Sequence, residues 1–417
     1  MKKIGSHICN AAGFPAAQGI YDPQYEHDSC GVGFVANIEG FPQHEIVEHG
    51  IQVLMNLEHR GAIGGDKATS DGAGVLVQLP HTFFKEECPE IDFVSPGHYA
   101  VAMVFLPSDP ALADRCLRSM KSVIKQEGCK LLGQRDVPVD HGQLGELARL
   151  TEPKIIQLFI GRGKTSLDNF ERKLYVIRRL VEKEVINWRN IDTSQFYIVS
   201  MSSQVIIYKG LLTGTQLPLY YQDLDDIRFS SAFTLVHQRY STNTLPTWNL
   251  AQPFRMVAHN GEINTIRGNI HRMRAREAIM QSDLFGEDLE KIKPVIVEGG
   301  SDSAIFDNAL ELLVMAGRSL PHSMMMMVPE AYDSRIHMSE DKRAFYEFHS
   351  AIMEPWDGPA ALVFTDGRYI GATLDRNGLR PARYTVTHDG LIILASETGV
   401  LDIPGKPPGV QGQGDPA

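Results

Sequence analysis

One cysteine is placed where it can do covalent chemistry. Cys30 lies in the segment HDSCGVGF, with Gly31 beside it leaving the backbone room to present a thiol. Were residues 1–29 removed, Cys30 would become the first residue of the chain. An N-terminal nucleophile needs no helper histidine: its own α-amine titrates near about 7.7–8.0 and can take the thiol proton at neutral pH. The competing reading is a buried, inert thiol, the usual condition of a free cysteine. Cys9, Cys88, Cys116 and Cys129 have no such company. The total of five is odd and no two stand at CxxC spacing. This argues against a disulfide framework, a zinc ribbon or a thioredoxin motif, and for a reducing compartment. The run from Gly31 to Ala36 matches the dinucleotide fingerprint G-x-G-x-x-A. That fingerprint needs a strand before it and a helix after it. Here an irregular stretch precedes and a strand follows, so no nucleotide cofactor is expected.

Three further segments carry polar residues at the ends of apolar runs, each with two readings. In HQRYSTNT, Arg239 is either an edge-strand surface arginine or a bidentate clamp for a carboxylate, for which its planar fork is suited. In HNGEI, Asn260 and Gly261 form either a tight turn or a pair of donors, one side-chain amide and one backbone N–H, aimed at a developing oxyanion. In EGGSDSAIF, Ser301, Asp302 and Ser303 either cap the helix that follows or supply a carboxylate for a ligand's ammonium group.

The elements that must position these residues follow from periodicity. CGVGFVANIEG alternates apolar residues and ends in a turn, so it reads as a strand. HEIVEHGIQVLMNLEH places Val47, Ile51, Leu54 and Leu57 on one helical face, with Gly61 well placed to cap the end. DGAGVLVQL, HYAVAMVFL, AFTLVHQRYST and RMVAHNGEI are strands; residues 110–127, NFERKLYVIRRLVEKEVIN and SDSAIFDNALELLVMAG are helices. FYIVSMSSQVIIYKG has two apolar runs around a polar break and reads as a hairpin. Asp366-Gly367, Asn377-Gly378 and Asp389-Gly390 punctuate a final series of strands with hairpin signals. Antiparallel strands beside amphipathic helices imply an α+β layered sandwich.

The 417 residues are 43% hydrophobic and 22% charged, which fits a globular chain and not a disordered, coiled-coil or collagen-like one. The formal net charge of −11 disfavours nucleic acid as a partner. No apolar stretch approaches the roughly 20 residues of a membrane span, so no membrane is expected and a cytoplasmic protein is. The first 29 residues read as an irregular leader without the apolar core of a signal peptide, and GKPPGVQGQGDPA as a disordered tail.

In chain order, a cysteine after a removable leader, EHRGA, HQRYSTN, HNGEIN, GGSDS and LDRNGLRPARY resemble the class II glutamine amidotransferases, those with an N-terminal cysteine nucleophile. Within them the wording is similar to the amidotransferase domain that opens the large subunit of glutamate synthases, from about Tyr21 to Ile403. The resemblance implies the four-layer αββα fold of the N-terminal nucleophile hydrolases, with a leader over 1–29, a domain over 30–403 and a tail over 404–417. It implies Cys30 as nucleophile, Asn260 and Gly261 as oxyanion hole, Arg239 on the α-carboxylate and Asp302 on the α-ammonium of L-glutamine. Arg60 would lie beside the nucleophile and help position it. Such a domain hydrolyses glutamine to glutamate and ammonia through a thioester, handing ammonia to synthase domains. FMN and an iron–sulfur cluster belong to that synthase region, so neither a cofactor nor a metal is expected in this chain. The rival readings are an amidase on the same fold and a catalytically silent regulatory or interaction fragment.

Overall fold

The computed structural model describes residues 30–61, 66, 68–188, 194–239, 246–332, 338–402 and 411–413. The expected leader lies outside them. Fourteen strands occur among the described residues: β1 (Gly31–Asn37), β2 (Ala73–Gln78), β3 (Tyr99–Leu106), β4 (Lys130–Asp136), β5 (Lys154–Gly161), β6 (Tyr197–Ser202) and β7 (Val205–Gly210), then β8 (Phe233–Gln238), β9 (Val257–Gly261), β10 (Ala360–Thr365), β11 (Ile370–Leu374), β12 (Arg383–Val386), β13 (Leu391–Ala395) and β14 (Gln411–Gln413). The helices are α1 (His44–Asn56), α2 (His81–Glu87), α3 (Pro110–Gln126), α4 (Glu146–Leu150), α5 (Leu167–Ile186), α6 (Gln216–Tyr220), α7 (Ile266–Glu277), α8 (Asp288–Ile292), α9 (Asp302–Met315), α10 (Leu320–Met327) and α11 (Glu340–Ser350).

The strands form a seven-stranded sheet in the order β14-β12-β13-β1-β8-β2-β7, a four-stranded sheet β4-β5-β3-β6 and a three-stranded sheet β11-β10-β9. The pairings within them are antiparallel. Side-chain parity then fixes the layers. On β3 the odd residues Tyr99, Val101, Met103 and Phe105 join the core shared with the large sheet. The even residues Ala100, Ala102, Val104 and Leu106 pack instead with α3 and α5. On β10, Val363 joins the core of the large sheet while Ala360, Leu362 and Phe364 face the cluster built from α9 and α10. Helix α1 covers the other face of the large sheet, where the Thr234 hydroxyl donates to Ile46 O at 3.0 Å. The architecture is therefore the expected α+β, four-layer αββα sandwich.

Side-chain caps mark several helix starts: Asp109, Ser166, Ser301, Ser319 and Ser339 each accept a backbone N–H from the first turn of their helix. Helix α1 stops earlier than its apolar pattern predicts. It ends at Asn56 and passes into a 3-10 turn over Glu58–Arg60, so Gly61 closes that turn in an extended conformation rather than capping the helix. Gly31, part of the apparent dinucleotide fingerprint, lies in a strand paired on both sides, to β13 and to β8. A Cβ there would stand 2.8 Å from Leu57 Cβ, so the glycine serves close packing of the sheet on the end of α1.

Three expectations fail for reasons of long-range pairing. β6 and β7 are consecutive but form no hairpin, because β6 pairs with β3 and β7 with β2 in different sheets. The polar break turns the chain from one layer to the next, and the Glu171 carboxylate fastens it, accepting from Ser202 Oγ at 2.9 Å and Ser203 N at 2.7 Å. Of the three Gly-containing hairpin signals, Asp366-Gly367 joins β10 to β11 and Asp389-Gly390 joins β12 to β13. Asn377-Gly378 instead lies in a crossing from the small sheet to the large one, with Asp375 accepting from the backbone N–H of Asn377, Leu379 and Arg380. The tail read as disordered contains β14, which pairs with the otherwise open edge of β12 through Arg383↔Gln413.

Candidate active site

Cys30 immediately precedes β1 and is 7% exposed. The register Gly31↔Gln238 between β1 and β8 sets it beside Arg239, the first residue past β8. Arg239 donates its backbone N–H to Gly72 O at 2.8 Å and holds φ at 81°, a left-handed conformation that costs an arginine of order 1–3 kcal/mol. The strain turns the chain sharply where its guanidinium meets Asp71, Nε to Oδ2 at 3.4 Å. Residues 240–245 of the HQRYSTNT segment lie outside the described ones.

The small sheet supplies the second group. His237 on β8 donates from Nε2 to the carbonyl of His259 at 3.1 Å, which brings the end of β9 against the end of β8. The next residue, Asn260, is 1% exposed, and neither its Oδ1 nor its Nδ2 has a hydrogen-bond partner among the described residues. An unpartnered buried amide costs about 1–3 kcal/mol and calls for an explanation. Gly261 follows with φ at 134°, and a Cβ there would lie 1.8 Å from Pro359 O. Only glycine fits that position.

Helix α9 brings the third group. Asp302, 7% exposed, accepts from Ile263 N at 2.9 Å and from Ser303 N at 2.8 Å. It is thus tied to the chain that leaves Gly261. The capping reading falls to its neighbour: Ser301 is the N-cap and accepts from Ala304 N. Arg60 is held by Glu397, Nε to Oε2 at 2.8 Å, and His59 pairs with the other oxygen of the same carboxylate at 2.7 Å. The pairing Gly33↔Ala395, continued by Ser396 N to Val32 O, leaves Glu397 opposite Gly31. Arg60 therefore reaches this end of the sheet through Glu397.

Burial pushes the Cys30 thiol up to about 11, with Asp71 and Asp302 adding to the rise and Arg239 and Arg380 opposing it. The thiol is therefore protonated at neutral pH and needs a base. Neither histidine nearby is charged there: burial lowers His237 to about 3, and burial with Arg380 lowers His259. Three residues that touch this site, Asp71, Arg380 and Gln252, escaped a reading from residue types. Asp71 and Arg380 stand in quoted runs, DGAG and LDRNGLRPARY, but their approach to Cys30 depends on how strands pair. Gln252 and Ser303 flank His259, Ser303 Oγ lying 2.7 Å from its Nδ1. No local pattern marks Gln252. Among the described residues no cluster of His, Cys, Asp or Glu is placed to hold a metal ion, and no helix is long and apolar enough to cross a membrane.

Comparison with known proteins bears on the whole described region. The family described as "Glutamine amidotransferases class-II" matches residues 30–411. The chain is 52% identical over 391 residues to the "Glutamate synthase [NADPH] large chain" of Bacillus subtilis, covering 93% of this chain and 26% of that protein. It is 47% identical over 405 residues to the protein of the same name from Azospirillum brasilense, covering 96% and 26%. It is 44% identical over 407 residues to "Glutamate synthase [NADH]" of Schizosaccharomyces pombe, covering 94% and 19%. The chain thus spans about a quarter or less of the length of these relatives. A match that begins at Cys30 and runs through every segment of the site makes this chain a member of the class II glutamine amidotransferases.

Proposed function

We propose that the chain hydrolyses the side-chain amide of L-glutamine, with Cys30 as nucleophile after loss of residues 1–29, and passes the ammonia to a synthase region in the same cytoplasmic assembly. The observation that carries the reading is a buried thiol that feels the charges of a strained arginine and a helix-start carboxylate, the carboxylate also holding the chain just past a buried amide that has no partner among the described residues. Arg239 and Asp302 suit the α-carboxylate and α-ammonium of a free amino acid, whereas an amidase acting on a larger molecule needs neither.

The thiol, held near 11 by burial, gives its proton to the α-amine of Cys30 as sulfur attacks the amide carbon. The oxyanion that forms takes hydrogen bonds from Asn260 Nδ2 and the Gly261 N–H. The ammonium of Cys30 returns the proton to the leaving nitrogen, and ammonia departs. Water, activated by the same amine, then hydrolyses the γ-glutamyl thioester to glutamate. While Ser29 is attached, the nitrogen of Cys30 is an amide without a basic lone pair, so the intact chain is latent. On this reading, processing is part of the mechanism and not an accessory to it.

Ammonia and glutamate release from glutamine, followed alongside intact mass, tests the reading. Activity is expected to rise with the fraction of chains beginning at Cys30, and Cys30→Ala is expected to abolish it. Full turnover by a preparation whose mass still includes the leader would exclude the α-amine as base.

A further inference from the structure

Strand β9 is an edge strand, paired to β10 on one side only. Backbone groups alternate sides along a strand, so residues 257, 259 and 261 direct their N–H and C=O away from β10. An edge of this kind, buried, must find other partners. Val257 O accepts from Phe254 N at 2.9 Å. The His259 N–H donates to Gln252 Oε1 at 2.9 Å, and the Gln252 Nε2 donates back to His259 O at 3.3 Å. The amide side chain thus makes both hydrogen bonds that a neighbouring strand residue would make. The next outward-facing donor on that edge is the N–H of Gly261.

Gln252 is 1% exposed and reaches a second element as well. Its Nε2 lies 3.4 Å from Ser303 Oγ, which contacts His259 Nδ1 at 2.7 Å and Asp302 Oδ1 at 3.3 Å. One side chain therefore joins the strand that ends in Asn260–Gly261 to the start of α9. We propose that Gln252 is a positioning residue: it replaces the missing strand beside β9 and fixes the oxyanion donors relative to Asp302. The proposal rests on the glutamine-hydrolysing reading, in which a carbonyl must meet Asn260 and Gly261 while its α-ammonium meets Asp302. Misplacement of such donors by about 1 Å costs on the order of a hundredfold in rate.

The test uses the processed chain, beginning at Cys30, carrying Gln252→Met, which keeps the length and removes both hydrogen bonds, or Gln252→Glu, which keeps the acceptor for His259 N–H. Ammonia release gives kcat and KM for glutamine; iodoacetamide alkylation of Cys30 and thermal melting report the thiol and the fold. The expected result is a fall in kcat of about tenfold to a hundredfold with KM within about threefold of wild type, because Arg239 and Asp302 remain. Alkylation rate and melting midpoint should stay close to wild type in at least one variant. Unchanged kcat in both variants overturns the proposal. So does a loss of kcat that appears only together with lost alkylation and a lowered melting midpoint, since that is a structural role. Absence of glutamine hydrolysis by processed wild-type protein overturns the functional reading itself, which separates the two failures.

Discussion

At the N-terminal end of α9, Asp302 and Ser303 face the end of β9, where Asn260 keeps a buried amide without a partner among the described residues. Further along the same helix, Asp307 and Glu311 are just as buried, yet each is met. Asp307 accepts from Met256 N at 2.8 Å and Arg255 N at 3.3 Å, at the other end of β9. Glu311 pairs with Arg178, and Arg178, Arg179 and Arg255 converge on Glu182 at 2.9, 2.7 and 3.2 Å. The helix is 14 residues, about 21 Å long, and its two ends embody different uses of buried polarity. The ion cluster locks α5, α9 and the approach to β9 together. The amide at the near end has no partner among the described residues, as expected of a group whose partner is a ligand.

The contrast is broken most forcefully at the cluster. Glu182→Gln removes the charge on which three guanidinium groups converge and leaves them buried beside a neutral amide. A loss of about 3–5 kcal/mol is expected in urea denaturation, with kcat per folded molecule unchanged. If stability falls by less than about 1 kcal/mol, the cluster is not the fastening the geometry describes.

Asn260→Ala should show the reverse pattern. It removes a donor to the oxyanion, so kcat for glutamine should fall roughly 10²–10³-fold. It orphans no partner among the described residues, because the amide has none there, so the melting midpoint should stay within about 3 °C of wild type. A variant that melted early and kept its turnover would make Asn260 a structural residue and erase the difference between the two ends.

How much of this was legible in the sequence also divides by region. Strands β1, β8 and β9 and helices α5 and α9 follow from apolar spacing, and the residues at their ends, Cys30, Arg239, Asn260, Gly261 and Asp302, are chemically conspicuous there. Local pattern does not show which sheet a strand joins. β6 and β7 look like a hairpin until their partners β3 and β2 are known. Asn377-Gly378 looks like a turn, but it belongs to a crossing that carries Arg380 toward Cys30. Arg60 reads as a companion of the nucleophile, whereas its contact with Glu397 spans 337 positions of sequence. Gln252 is invisible because its function, replacing a strand, exists only once β9 is known to be an edge. Residues whose role lies in their own chemistry are found from the sequence; residues whose role lies in a long-range pairing are not.

The smallest expected effect sharpens the comparison through pH. His237, next to the site, is held by burial at about 3 instead of its ordinary 6.5. Between those values the unfolded chain binds a proton that the folded chain refuses, so the stability His237 permits is complete above about 6.5 and is lost as pH falls toward 3. Asp307, in the ion cluster, is shifted the other way: burial, with the charge of Glu311, raises its carboxyl above the ordinary 3.8. Its folded form holds a proton the unfolded form has already released, so its contribution is present at low pH and is lost as pH rises through the folded value. Urea denaturation at pH 7.5 and 5.5 compares wild type with His237→Gln and Asp307→Asn. His237→Gln, whose amide can still donate to His259 O, should lose about 1.4 kcal/mol less than wild type on acidification, the value of one pH unit below 6.5. Asp307→Asn should lose more than wild type, because the counteracting proton uptake is gone. The opposite signs are the informative result: they would show a base at the site end kept neutral against its tendency to protonate, and an acid at the cluster end kept protonated against its tendency to ionise. Parallel losses in all three proteins would mean that neither group titrates as its surroundings dictate.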